Sequence, residues 1–170
     1  MGKTDESLTT QEKLEGQKEH GLTKTTDFIL SEYKEGKISR AEAERMYRKE
    51  KPNVTDKNLL ETFDRIDWEK AGKDGTNYSN YTPLYEAIDS NRAENIQQAA
   101  GYMLKHGYEA KDIKSTVNSR LKKEYLAATT EAERLRIRDQ LTKTYKAIGF
   151  TAADADKTVQ GWIKERNKTK

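Results

Sequence analysis

The sequence predicts an all-α protein, a compact bundle of stacked antiparallel helical hairpins with a mobile N-terminal tail. Three observations predict it. Only two of the 170 residues are proline, while Ala, Glu, Lys, Gln and Arg are used heavily, which suits helices and argues against a sheet. Apolar side chains recur at three- and four-residue intervals along most of the chain. Glycines and Ser/Thr caps punctuate those stripes where helices should stop and start.

The apolar share is 33% and the mean hydropathy −1.10, so little material is left for a deep core. Disorder is not the expectation, because 32 basic and 29 acidic residues nearly cancel and nine Tyr, three Phe and two Trp supply anchors. The absence of cysteine excludes a disulfide framework, a thiolate metal site and a cysteine nucleophile. No apolar run approaches the roughly 20 residues that a membrane span needs. The charged, polar amino terminus carries no signal-peptide pattern, and Glu6 stands where N-myristoylation requires Ser or Thr. A cytoplasmic protein is therefore expected.

Residues 1–23 hold Leu8, Leu14 and Leu22 as their only large apolar side chains, and Gly16 and Gly21 interrupt any helix that starts at Thr10. This segment reads as the mobile tail. Residues 24–89 read as an N-terminal helical subdomain. Its first helix, from about Thr25 to Glu35, carries Phe28, Ile29, Leu30 and Tyr33, and Gly36 sits at a C′ position. Ser39 and Glu42 form a capping box for a helix bearing Ala43, Met46 and Tyr47. Thr55 caps a third, whose stripe is Leu59, Leu60, Phe63 and Ile66, with Trp68 well off that stripe. The Gly/Asn-rich segment from Ala71 to Asn80 is the clearest loop, and Thr82-Pro83 opens a short helix with Leu84, Tyr85 and Ile88.

Residues 90–170 read as duplicated helical hairpins. Aligning Gly107 with Gly149 also brings Met103 onto Tyr145, Tyr108 onto Phe150, Ala110 onto Ala152, Val117 onto Val159 and Leu121 onto Ile163. Each copy reads helix, glycine, aromatic, short turn, helix. Hairpins that cannot bury an apolar face alone stack on one another. Chance coincidence of helix punctuation is the competing reading.

Chemistry is sparse. His20 lies in the tail, and His106 ends a helix, where the macrodipole favours it without any catalytic role. No HExxH, EF-hand, P-loop or Gly-x-Ser-x-Gly pattern is present. Asp64 and Asp67, three apart near Trp68, could be imagined as an acid–base pair, but such pairs usually form a solvated helix face. No catalytic residue, metal ligand, cofactor or small-molecule substrate is expected.

Two binding surfaces remain. Tyr78, Tyr81 and Tyr85 bracket the loop beside Trp68, and clustered aromatics with polar tips are favoured at interfaces. Rings folded back over a lean core are the alternative. Charge is also uneven: residues 1–100 carry 16 basic and 20 acidic side chains, residues 101–170 carry 16 and 9. Lys111, Lys114 and Lys122 share a helical face, and Arg134 and Arg138 are four apart on the next helix, a pattern able to meet phosphates. Glu109, Glu124, Glu131 and Asp139 dilute that patch.

The segment from Gly36 to Ala43, the stretch from Asp67-Trp68 to Tyr81 and the ending from Gly149 to Trp162 together resemble helical modules near the ends of large phage- and prophage-encoded proteins of gut bacteria. The likeness covers roughly residues 25–166. It implies a mobile-element origin, a setting in a bacterial host's cytoplasm or a virion, and a binding role. Its motifs are helix punctuation, so it carries over no catalytic residue. The function expected is non-enzymatic docking of a host or virion protein through Trp68, Tyr78, Tyr81 and Tyr85. The alternative is nucleic-acid binding through Lys111, Lys114, Lys122, Arg134 and Arg138.

Overall fold

Helix punctuation in the sequence is realised as helix punctuation in space. In a computed structural model, residues 9–20 and 25–168 are described, apart from the side chains of residues 16–20. The helices are α1 (Thr10–His20), α2 (Thr25–Lys34), α3 (Arg40–Glu50), α4 (Asp56–Lys70), α5 (Thr82–Ser90), α6 (Ala93–Lys105), α7 (Ala110–Ala127), α8 (Glu131–Ala147) and α9 (Ala152–Lys168). No strand occurs among the described residues, and the protein is all-α. None of these helices is long and apolar enough to cross a membrane. The chain divides into two compact units, Met1–Asn80 and Tyr81–Lys170.

In the first unit α2 packs on α1, α3 and α4, and α3 also packs on α4. Ser39 and Thr55 cap α3 and α4 as expected, each accepting the backbone N–H three residues on, from Glu42 and Asn58. The core gathers Ile29, Tyr33, Met46, Tyr47, Leu59 and Phe63, with Leu14 of α1 buried among them. That last member departs from the tail expected over residues 1–23. Residues 1–8 and 21–24 lie outside the described residues, but residues 10–20 form a helix. Its start is a reciprocal capping box, Glu12 N–H to Thr9 Oγ1 (3.1 Å) and Thr9 N–H to Glu12 Oε1 (3.3 Å). Gly16 inside the helix costs about 1 kcal/mol, whereas burying one leucine returns about 2 kcal/mol. The anchor outweighs the breaker.

In the second unit α8 packs on all of α5, α6, α7 and α9. Ile137, Leu141 and Tyr145 fill its inner face as the stripe requires, but Gln140 and Thr144 are buried there too. The reason lies at the end of α5, whose C-terminal carbonyls need donors. Gln140 Nε2 donates to the Ile88 carbonyl (2.9 Å), Arg136 to that of Asp89 (2.8 Å) and Lys143 to that of Asn91 (2.7 Å). These bonds, with Leu84, Ala87 and Ile88 buried, tie α5 to α8. The division therefore falls at Asn80/Tyr81 and not at the 89/90 boundary read from the sequence. The N-cap of α5 is Tyr81, one residue before the expected Thr82.

The 42-residue alignment has a structural counterpart. Gly107 and Gly149 have φ of 92° and 94°. At each, the following aromatic N–H returns to the helix: Tyr108 to the Met103 carbonyl (3.1 Å) and Phe150 to that of Tyr145 (2.8 Å). Both are Schellman turns, which place a glycine in the left-handed region. Their helices are used differently, since α8 packs directly on α9 while α6 takes α5 and α8 as its main partners.

Candidate functional site

The expected aromatic surface resolves into two pairs, one in each unit. In the first unit the end of α4 is closed by another Schellman turn, with Gly72 at φ 84° and Lys73 N–H returning to the Trp68 carbonyl (3.2 Å). The turn swings the loop back over the Trp68 ring. The indole Nε1–H donates to the Asp74 carbonyl (3.1 Å), and the Lys73 ammonium sits 4.2 Å from the ring centroid. Tyr78 meets the ring at 5.6 Å, tilted by 55°. Asp74 in turn accepts both the N–H (2.9 Å) and the hydroxyl (2.6 Å) of Thr76, which hold its carboxyl below the usual range. Trp68 is half-buried, whereas Tyr78 is buried, with its carbonyl accepting from Arg65 (3.3 Å).

In the second unit Tyr81 and Tyr85 stack at 5.8 Å, one helical turn apart, and Tyr108 meets Tyr81 edge-on at 6.0 Å. The Arg120 guanidinium lies 4.1 Å above the Tyr85 ring. Burial raises the Tyr85 hydroxyl pKa, against the opposing charge of Arg120. Both rings are half-buried.

The expected basic surface is largely satisfied from within. Lys122 pairs with Glu165 (2.7 Å), Arg134 with Glu131 (3.1 Å) and the Ala128 carbonyl (3.3 Å), and Arg138 with Asp156. Lys111 reaches Glu109 at 3.4 Å, and Lys114 lies over the Phe150 and Tyr145 rings at 4.7 and 5.6 Å. Each of the five thus has an intramolecular role.

Asp64 and Asp67 are not a free acid–base pair either. Arg40 of α3 binds Asp64 (2.7 Å), Asp67 (2.5 Å) and Glu44 (2.8 Å), and Tyr33 donates its hydroxyl to the other Asp67 oxygen. Burial of Arg40 opposes its charge, but the bonds to Glu44 and Asp64 more than offset that and raise its pKa. Burial, reinforced by Asp67, pushes the Tyr33 hydroxyl up to about 12. The solvated-face reading of these carboxylates is corrected: Arg40 draws them into the seam between α3 and α4, with Asp64 only 17% exposed. His106 caps α6, its Nδ1 2.8 Å from the Tyr102 carbonyl and its ring 4.4 Å from that of Tyr102, tilted by 46°. The His20 side chain lies outside the described residues. Among the described residues no group of three His, Asp or Glu is placed to hold a metal ion.

No protein-family model matches the chain, and no curated protein or solved structure was found to be similar to it.

Proposed function

We propose that the chain is a helical interaction module that works by docking a protein partner. The observation that carries the reading is Trp68: a half-buried indole fixed by three contacts, through its N–H, one ring face and a tilted contact with the Tyr78 ring. An aromatic anchor held in place before binding loses little conformational freedom on docking, and such residues dominate interface energetics. The stacked Tyr81–Tyr85 pair is a second anchor of the same kind on the other unit. The resemblance of the Gly36–Ala43, Asp67–Tyr81 and Gly149–Trp162 segments to phage-encoded helical modules supports a virion component or a host factor as the partner.

The test is capture from host extract with wild-type chain beside Trp68→Ala/Tyr81→Ala and, separately, Lys73→Ala. The double variant should lose a protein that the wild type retains while keeping its helical circular dichroism. Lys73→Ala uncovers the indole and should retain it. Equal retention by all three, or unfolding of the double variant with Lys73→Ala also inactive, would make Trp68 a structural residue.

A further inference from the structure

The second unit carries 17 basic and 12 acidic side chains, a net of +5, and ion pairing does not spread that excess evenly. On α9 every carboxylate is engaged. Asp154 accepts the Thr151 N–H (3.0 Å) as the helix cap, Asp156 holds Arg138, and Glu165 holds Lys122 (2.7 Å). The exposed lysines of α9 are less engaged: among the described residues Lys157, Lys164 and Lys168 form no salt bridge, and of the three only Lys157 acts on a carboxylate of the helix, helping to lower the pKa of Asp154.

Their spacing puts them in one line. At about 100° per residue, Lys164 and Lys168, seven and eleven residues after Lys157, each point within about 20° of its direction. The three ammonium groups therefore share a narrow strip of the outer face, separated by rises of about 10 and 6 Å. Gln160, Gly161 and Asn167 flank that strip, all exposed and uncharged. Val159 and Trp162 hold the opposite face in the core. A row of like charges on one helix face is mildly destabilising by itself, and it is relieved by a partner with regularly repeated negative charge.

We infer that the outer face of α9, through Lys157, Lys164 and Lys168, binds the phosphodiester backbone of a nucleic acid without reading its bases. The surface is distinct from the aromatic anchors. It is also distinct from Lys111, Lys114, Lys122, Arg134 and Arg138, each of which meets a carboxylate or an aromatic ring of the chain. Ammonium groups replace counterions condensed on the phosphates, so affinity falls with salt in proportion to the number of phosphates neutralised.

The experiment is fluorescence anisotropy of full-length chain with labelled 20-base-pair DNA, the matching single strand and RNA, titrated between about 20 and 200 mM salt. Three contacts give a slope of log affinity on log salt of about −2.7 for duplex and about −2 for single strands. The relative strength in these arms identifies which nucleic acid supplies the backbone. Lys157→Gln/Lys164→Gln/Lys168→Gln should abolish binding at the upper salt, and each single variant should flatten the duplex slope by about 0.9. Lys111→Gln/Lys122→Gln removes the same kind of charge and should leave the slope unchanged, with circular dichroism verifying the fold of every variant. Three results would overturn the assignment: no binding at the lowest salt, a triple variant that binds as the wild type does, or competition by polyglutamate equal to that by DNA at matched charge. The last would give the strip to an acidic protein.

Discussion

Arg40→Met tests what holds the first unit together. The substitution keeps the aliphatic stem beside Phe63, whose ring centroid lies 5.8 Å from the guanidinium, and removes only the charge. Asp64, Asp67 and Glu44 then lose the cation they share. Their contributions follow from exposure. Asp64 is 17% exposed and Asp67 40%. A charge-assisted bond out of water contributes about 2 kcal/mol, and solvent-screened pairs at most about 1 kcal/mol each. The loss should be about 3 kcal/mol, at the lower edge of the range for breaking a fully buried pair. The two tryptophans fall one to each unit, Trp68 and Trp162, so urea unfolding followed by Trp68 fluorescence in a Trp162→Phe background reports the first unit alone. Asp64→Asn on top of Arg40→Met should recover about 1 kcal/mol by removing a stranded charge. A loss under 1 kcal/mol, with no recovery from Asp64→Asn, would mean that Arg40 is an ordinary surface ion pair.

Two further outcomes are expected. Tyr33 binds its proton more tightly folded than unfolded, so its share of stability is complete below pH 10 and is lost as pH rises through about 12. Absorbance titration should show one tyrosine ionising last, absent in Tyr33→Phe; a Tyr33 that ionises with the others refutes the placement. Leu14→Ala should cost about 2–3 kcal/mol in the Trp68-reported transition. No change would detach α1 from the core and return residues 10–20 to the tail.

What was legible in the sequence was whatever depends on near neighbours. Ser39 and Thr55 each cap the helix they were assigned to, and Thr130 and Thr151 cap α8 and α9 in the same way, each by a bond to a residue three positions on. Gly36, Gly107 and Gly149 stop helices because the left-handed turn suits a residue without Cβ. The stripes Leu59–Ile66 and Ile113–Tyr125 are buried as their spacing requires. What was not legible depends on partners far away in the chain. Gln140 looks like an exposed helix residue until the Ile88 carbonyl, 52 positions earlier, is found beside it. Gln98, 42 residues before Gln140 on α6, is exposed, because only α8 has the end of α5 to satisfy.

The partners of the basic residues were not legible for a related reason. In a chain so poor in apolar residues, long cations do part of the core's work: Lys70 covers Tyr33 at 4.4 Å, Lys73 covers Trp68 at 4.2 Å, Lys114 covers Phe150 at 4.7 Å and Arg120 covers Tyr85 at 4.1 Å. The charged heads themselves lie over ring faces that a richer sequence would bury under leucine, held there by attraction to the ring's electron-rich face. Helical spacing alone cannot distinguish such a residue from one turned to solvent, since both belong on a polar face. Lys114 shares a helical face with Lys111 and Lys122, the spacing that phosphate contacts need, yet its ammonium lies over an aromatic ring. Charge available to a partner is what remains after rings and carboxylates have taken theirs. On the second unit that remainder includes a straight row on α9, where no aromatic face needs cover and each neighbouring acid already holds a cation or caps a helix.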